Sequence, residues 1–268
     1  TLPRGATQSR IRDLQMETQS QIPTDNLTLL SDTANQLSSG HLHIHHYLRD
    51  DSPLIRHTLK NPDLALSDPE CHIVKNDNTT TVGLIFRDSH KFVIKRYNTK
   101  NAWHRLRRTV RSSRAENCWH FTRTLRSLDI SVAPAVAWIQ EIQVGLKGRS
   151  WFVSEFVQGP RCLDHLKSDV PPAEIERTLG EIVEILCKLR HERISHGDLK
   201  ASNILLSSQG PVLIDLDVMR QHKSESTYQQ AARKDINRFL RNWQDNPVLL
   251  ATARQLLSAQ GFLTDHPS

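Results

Sequence analysis

The stretch that most restricts how this chain can fold is HGDLKASNILLSSQGPVLID, residues 196–215. Two apolar runs, NILL and PVLI, flank the polar SSQG. That pattern predicts a β-hairpin with Gly210 in its turn. The midpoint between Asn203 and Asp215 falls in the same turn, so closing the hairpin brings both residues to its open end. An amide oxygen beside a carboxylate suits Mg²⁺, which takes few protein ligands and fills its shell with water and substrate phosphates. Alone, Asn203 would read as a turn cap and Asp215 as a strand end. Their spacing behind HGDLK favours the metal reading.

Asp198 stands just beyond a long helical segment and five residues before Asn203. A carboxylate close to such a metal can orient an alcohol and accept its proton as a phosphoryl group transfers. Lys200 can neutralise charge growing on that group. Gly197 permits a tight backbone, and His196 is expected to pin the loop through hydrogen bonds rather than to act as a base.

The rest of the chain divides by texture. Nearly half of the first forty residues are Ser, Thr, Asn or Gln, with little periodicity, so residues 1–70 are expected to form a partly disordered or accessory extension. Within them HLHIHHYL alternates His41, His43 and His45, which a strand places on one face. A polar strand face accounts for these better than zinc does, because no Cys or acidic residue sits at ligand spacing. From Cys71, CHIVKNDNTTTVGLIF reads as strand, turn, strand, and KFVIKRY (91–97), SVAPAVAWIQEI and SWFVSEFV as further strands. The segment 101–128 reads as a helix. After QGP (158–160), Ile175, Leu179, Ile182, Val183, Leu186 and Leu189 form an amphipathic helical stripe, with Pro171 and Pro172 in its first turn. The expectation is an α+β protein of two lobes joined near Glu155–Gly159: a small antiparallel-sheet lobe with one helix over 71–157, and a mainly helical lobe over 158–268.

HGDLKASNILL…LIDLD resembles the catalytic loop and metal-binding motif of the protein-kinase-like fold, and its His-Gly-Asp form resembles the small-molecule and atypical branch. The resemblance covers roughly residues 71–240. It implies that Asp198 is the catalytic aspartate, that Asn203 and Asp215 hold Mg²⁺, and that Lys95 in FVIK contacts the phosphates of ATP. Val93 shares a strand face with Lys95 and would lie over the adenine. Glu116, the only acid between Lys95 and Asp129, would hold Lys95, and Glu155, at the lobe junction, joins the nucleotide-contacting set. Asp235 in RKDINRFL resembles the helix aspartate that supports the catalytic loop from beneath. Asp217 replaces the usual glycine of the metal motif. No GxGxxG precedes Lys95; the tip KNDNTTTVG, with Gly83 alone, would cover phosphates through Thr hydroxyls and backbone N–H groups. Twenty positions separate Asp215 from Asp235, little room for a peptide-docking segment, which argues against an ordinary protein kinase.

The acceptor is suggested by charge. The chain carries 35 Lys+Arg against 29 Asp+Glu, a formal charge of +6. Arg96, Lys100, Arg105, Arg107, Arg108, Arg111 and Arg114 run without an intervening acid. An ordinary exposed helix gains from opposite-charge pairs at i,i+4, so this run suits anionic lipid or a phosphorylated glycolipid, although a solvated face is the plain alternative. IKRYN, RAENCW and RKDINRFL also resemble the bacterial lipopolysaccharide core kinases, which phosphorylate heptose or Kdo. That resemblance implies a cytoplasmic enzyme, peripheral at the inner face of the inner membrane, with a lipopolysaccharide-core glycolipid as acceptor. Cys71, Cys118, Cys162 and Cys187 form no CxxC pair and read as reduced thiols of that compartment. No apolar run approaches the ~20 residues of a membrane span, and no signal peptide is visible. An atypical protein or small-molecule kinase is the alternative enzyme. Retention of Lys95, Asp198, Asn203 and Asp215 argues against an inactive kinase-like binding protein. The 6% aromatic content, without regular spacing in the basic run, argues against nucleic acid.

Overall fold

The computed structural model describes residues 34–39, 41–47, 53–87, 90–98 and 112–263. Two compact units emerge: one takes the chain up to Glu116 together with Ala135–Phe156, the other Asn117–Pro134 and the chain from Val157 onward. Among the described residues no helix is long and apolar enough to cross a membrane.

The first unit is a sheet of seven described strands: β1 (Ala34–Ser39), β2 (Leu42–Tyr47), β3 (Cys71–Asn76), β4 (Thr80–Arg87), β5 (His90–Tyr97), β6 (Ala135–Gln143) and β7 (Leu146–Glu155). Their spatial order is β1-β2-β6-β7-β5-β4-β3, with every pair antiparallel. Two short helices, α1 (Pro53–Lys60) and α2 (Pro62–Ser67), cover one face. Ile55, Leu59, Ala65 and Leu66 from them pack with Ile44, Ile94, Ile139, Trp151 and Val153 in one buried cluster. Fully burying each such aliphatic side chain contributes roughly 1.5–3 kcal/mol. The described part of the polar N-terminal extension therefore supplies two strands and a helical cover. Strand alternation then assigns Phe92 and Ile94 to the covered face, and Val93 and Lys95 to the opposite one.

A polar cluster backs the same core. Asp63 of α2 accepts hydrogen bonds from Arg96 (3.2 Å), Trp151 Nε1 (3.1 Å) and Arg149. Arg149 also grips the buried Glu141 through its backbone N–H (2.9 Å) and Nη2 (2.8 Å). Of the histidine strand, His45 stacks on Trp138 with ring centroids 4.4 Å apart, and His41 approaches Glu141 at 3.7 Å.

In the second unit, α3 (Arg114–Arg126, whose first residues belong to the other unit) is followed by α4 (Cys162–Leu166) and the long α5 (Pro172–His191). The stripe expected on α5 is buried in full, with Pro172 in the first turn. Helix α5 leads to β8 (Ile194–Ser195), the hairpin β9 (Ile204–Ser207) and β10 (Gly210–Leu213), then β11 (Arg220–Gln221), α6 (Glu225–Arg241) and α7 (Pro247–Ala259). Ser224 caps α6 and Asn246 caps α7, each accepting a backbone N–H three residues on. Leu179, Phe239, Trp243, Leu249 and Leu257 are fully enclosed.

The expected helix over 101–128 is shorter where it is described. Ser113 Oγ accepts the Glu116 N–H (3.2 Å), and Glu116 Oε2 accepts the Ser113 N–H (3.1 Å). This reciprocal capping box starts the helix at Arg114. Lys100, Arg105, Arg107, Arg108 and Arg111 of the basic run lie outside the described residues.

Candidate functional site

The loop after β8 is held by α6. Asp235 accepts the N–H groups of Gly197 (3.0 Å) and Leu199 (3.4 Å). One turn further along, Arg238 donates to the Gly197 carbonyl (3.1 Å) and to Asp198 Oδ1. Gly197 has φ +80, and a Cβ there would meet the Val218 carbonyl oxygen at 2.7 Å. Only glycine meets both demands. Leu199, completely buried, anchors the loop below. This leaves the Asp198 carboxylate with two cations: Arg238 on Oδ1, and Lys200 Nζ 3.0 Å from both oxygens. Asn203 Nδ2 donates to the Asp198 carbonyl (2.9 Å) and weakly to Oδ2 (3.4 Å).

His196 is enclosed beside this loop. Its ring is buried and the Ile214 backbone lies beside it, yet neither ring nitrogen reaches hydrogen-bond geometry. Burial pulls its pKa below the ordinary histidine value, against the opposing pull of Asp235, Asp215 and Asp198. His196 therefore supports the loop as a packed ring, with the Ile214 backbone as its polar neighbour.

The expected hairpin is present, with Gly210 paired to Ser207 and Leu213 to Ile204. At its open end the Ile214 N–H donates to the Asn203 carbonyl (3.0 Å), which sets Asn203 next to the segment entering Asp215. Because the Asn203 amide nitrogen is engaged by Asp198, its Oδ1 is the atom left to face a cation. Asp215 lies in the left-handed region at φ 65, ψ 51, a conformation that aspartate tolerates better than most residues but that still marks a constrained position. The turn beyond it, Leu216–Val218, is gripped by Asn117 of α3. Asn117 Nδ2 points at the carbonyls of Leu216 (3.4 Å), Asp217 (3.1 Å) and Met219 (3.1 Å). Asp217 is buried.

The residues expected to contact nucleotide lie in the first unit. Lys95 and Val93 share the sheet face opposite α1 and α2. Lys95 Nζ is 5.1 Å from the Tyr97 ring centroid, and its cross-strand neighbour is Phe152, which pairs in turn with Trp138. Glu155 ends β7 opposite Phe92. Glu116, besides capping α3, accepts from Lys147 Nζ at 3.4 Å.

The β3–β4 turn corrects a second expectation. Asp77 Oδ1 accepts the Thr79 N–H (2.7 Å), the Thr79 hydroxyl (2.6 Å) and the Thr80 N–H (2.8 Å). The Thr79 hydroxyl bond leads the effects that hold the Asp77 carboxyl far below the usual carboxylate range. The amides and hydroxyl expected to cover phosphates are thus already occupied by a carboxylate. Gly83 has a packing role: a Cβ there would meet Cys71 Sγ at 2.5 Å and Leu66 at 2.9 Å.

Residues 68–259 match the family model of the lipopolysaccharide kinase (Kdo/WaaP) family. The chain belongs to that family. A solved structure of WaaP in complex with acyl carrier protein is similar at 16% identity and TM-score 0.51, over 78% of this chain and 94% of that one. At that identity the likeness speaks for the fold alone, and it supports a kinase-like mixed α/β architecture with an antiparallel sheet. Family membership makes this protein a phosphotransferase of lipopolysaccharide biosynthesis.

Three residues of this lipopolysaccharide kinase make contacts not expected from the sequence: Arg238, Asn117 and Lys147. Asp-x-x-Arg puts Asp235 and Arg238 on one helix face, a signal that could have drawn attention to Arg238. Ser-x-x-Glu at 113–116 announced the capping role of Glu116. Nothing local to Asn117 or Lys147 points to their partners.

Proposed function

We propose that this kinase transfers the γ-phosphoryl group of ATP to a sugar hydroxyl of the lipopolysaccharide inner core, on heptose or Kdo. The observation that carries the reading is the Asp198 carboxylate. It is fixed by Arg238, Lys200 and Asn203 at the end of a hairpin that also delivers Asp215. In this reading Asp198 accepts a hydrogen bond from the attacking hydroxyl, orients its lone pair and takes its proton as the bond to phosphorus forms. Lys200, beside the same carboxylate, offsets negative charge on the transferred group.

Asn203 Oδ1 and Asp215 form a hard-oxygen pair that fits Mg²⁺. When bound, Mg²⁺ neutralises phosphate charge and helps to align the γ-phosphate. Lys95 is assigned to the nucleotide phosphates, Val93 to the adenine face, and Glu116 and Glu155 to the nucleotide-contacting set. With Thr79 and Thr80 engaged by Asp77, phosphate binding rests on Lys95 and the cation, not on the turn. We place the enzyme in the cytoplasm at the inner face of the inner membrane. The net positive charge and the arginine-rich run support this placement, since near-surface basic residues each gain on the order of 1 kcal/mol at an anionic leaflet.

The test is phosphate transfer from γ-labelled ATP with Mg²⁺ to a panel of core glycolipids, with sugar-free lipid and casein as controls. Label on glycolipids that carry heptose or Kdo is expected. Label on casein alone would favour the atypical protein kinase.

A further inference from the structure

We infer that Arg238 is a positioning residue for phosphoryl transfer: it locks the rotation of the Asp198 carboxylate and so sets which oxygen meets the acceptor hydroxyl. The inference rests on the proposed role of Asp198. An aspartate side chain turns easily about its last torsion, where the energy wells are broad. Arg238 removes that freedom by bridging. The same nitrogen, Nη1, donates to the Gly197 carbonyl and to Asp198 Oδ1, tying the side chain to its own loop backbone. Asp235, on the same helix face, takes the N–H groups on either side of Asp198. The peptide segment and its carboxylate are therefore fixed by one rigid helix, independently of any substrate.

The two carboxylate oxygens are left unequal. Oδ1 carries the charge-assisted bond from Arg238. Lys200 Nζ lies 3.0 Å from both oxygens and does not distinguish them, so what sets Oδ2 apart is that its further bond, from Asn203, is long at 3.4 Å. A carboxylate has about four acceptor sites, so Oδ2 is the oxygen with a weakly used site for an incoming hydroxyl. The partial exposure of Arg238 and Asp198, 37% and 25% of their side chains, is consistent with a device at the edge of a site and not a buried structural pair.

The experiment is a double-mutant cycle on the full chain: wild type, Arg238→Gln, Asp198→Asn and the double variant. It measures kcat and KM for ATP and for core glycolipid, and the rise in Tm with ATP and Mg²⁺. Misplacing a reacting group by an ångström can cost about a hundredfold, so Arg238→Gln is expected to lower kcat by roughly 10- to 100-fold. KM for ATP and the nucleotide-induced rise in Tm should stay near wild type. In the Asp198→Asn background the same change should cost nothing further, and Arg238→Lys should recover part of the loss. A fall in kcat of equal size with and without the Asp198 carboxylate would overturn the inference. So would a raised glycolipid KM at unchanged kcat, which would make Arg238 an acceptor-binding residue. If Arg238→Gln fails to fold, Arg238→Lys is decisive, and wild-type turnover in it contradicts the positioning role. A wild-type enzyme that phosphorylates no glycolipid would strike the acceptor reading instead. The cycle would then be read on ATP hydrolysis, where water replaces the sugar hydroxyl.

Discussion

Asp235 and Arg238, one turn apart on the same helix, hold the two peptide groups that flank Gly197. The Asp235 carboxylate takes its N–H at 3.0 Å, and the Arg238 guanidinium meets its carbonyl at 3.1 Å. The loop that carries Asp198 is thus mounted on α6, and its geometry depends on that helix.

The proposed role puts Asp198 to work in the transition state more than in nucleotide binding. Asp198→Asn is expected to lower turnover by about a hundredfold or more while ATP affinity stays close to wild type. Steady-state kinetics with calorimetric ATP binding checks this; near-wild-type turnover would remove Asp198 from the chemistry.

Asp215 should matter through the cation. ATP with Mg²⁺ is expected to raise Tm in the wild type, because a ligand that binds only the folded state stabilises it. Asp215→Asn should abolish the Mg²⁺-dependent part of that rise and leave the metal-free part. A full Mg²⁺-dependent rise in the variant would move the metal site elsewhere.

How far the sequence anticipated this arrangement depended on separation along the chain. The β9–β10 hairpin and the α5 stripe are local patterns, and both were legible. Asp235 was legible through its family motif. The pairing of β2 with β6, Ile44 opposite Ile139, joins segments nearly a hundred residues apart, and no local periodicity announces such a contact. The grip of Asn117 on the Leu216–Met219 turn is equally remote. The Asp77 turn is a different case: Asp-x-Thr is a local pattern by which a carboxylate caps its own turn, and the same threonines also suit phosphate.

The Glu141–Arg149 pair predicts acid sensitivity. Burial of Glu141 acts to raise its pKa, but the side-chain and backbone hydrogen bonds from Arg149 outweigh it, so the net direction is down. A depressed carboxyl contributes stability at pH above its unfolded value, near 4.3, and that contribution is lost as pH falls through the folded value. Urea unfolding should therefore show stability declining below about pH 4.3, with a shallower decline in Glu141→Gln. Arg149→Met, which leaves the buried Glu141 carboxylate with Gln143 Nε2 (3.0 Å) and His41 (3.7 Å) beside it, should cost about 1–3 kcal/mol at neutral pH. A loss well below 1 kcal/mol would show that the pair is solvated.

The β6–β7 turn carries removable strain. Val144 and Gly145 both have positive φ, 51 and 73, between the paired Gln143 and Leu146. A β-branched residue is poorly suited to that conformation, and Val144 is fully exposed, so no burial offsets it. Val144→Asn supplies the residue this two-residue turn favours and should stabilise by about 1 kcal/mol. Calorimetry should show Tm rising by roughly 2–4 °C; an unchanged or lower Tm would mean that the turn relaxes at no cost in the wild type.

The most direct test is the chemical form of the glycolipid after incubation with ATP and Mg²⁺, read by mass spectrometry and phosphorus NMR. The account expects a gain of one phosphate, as a monoester on a heptose or Kdo hydroxyl, with wild type and almost none with Asp198→Asn. An unmodified core, or equal phosphorylation by the two proteins, would contradict it.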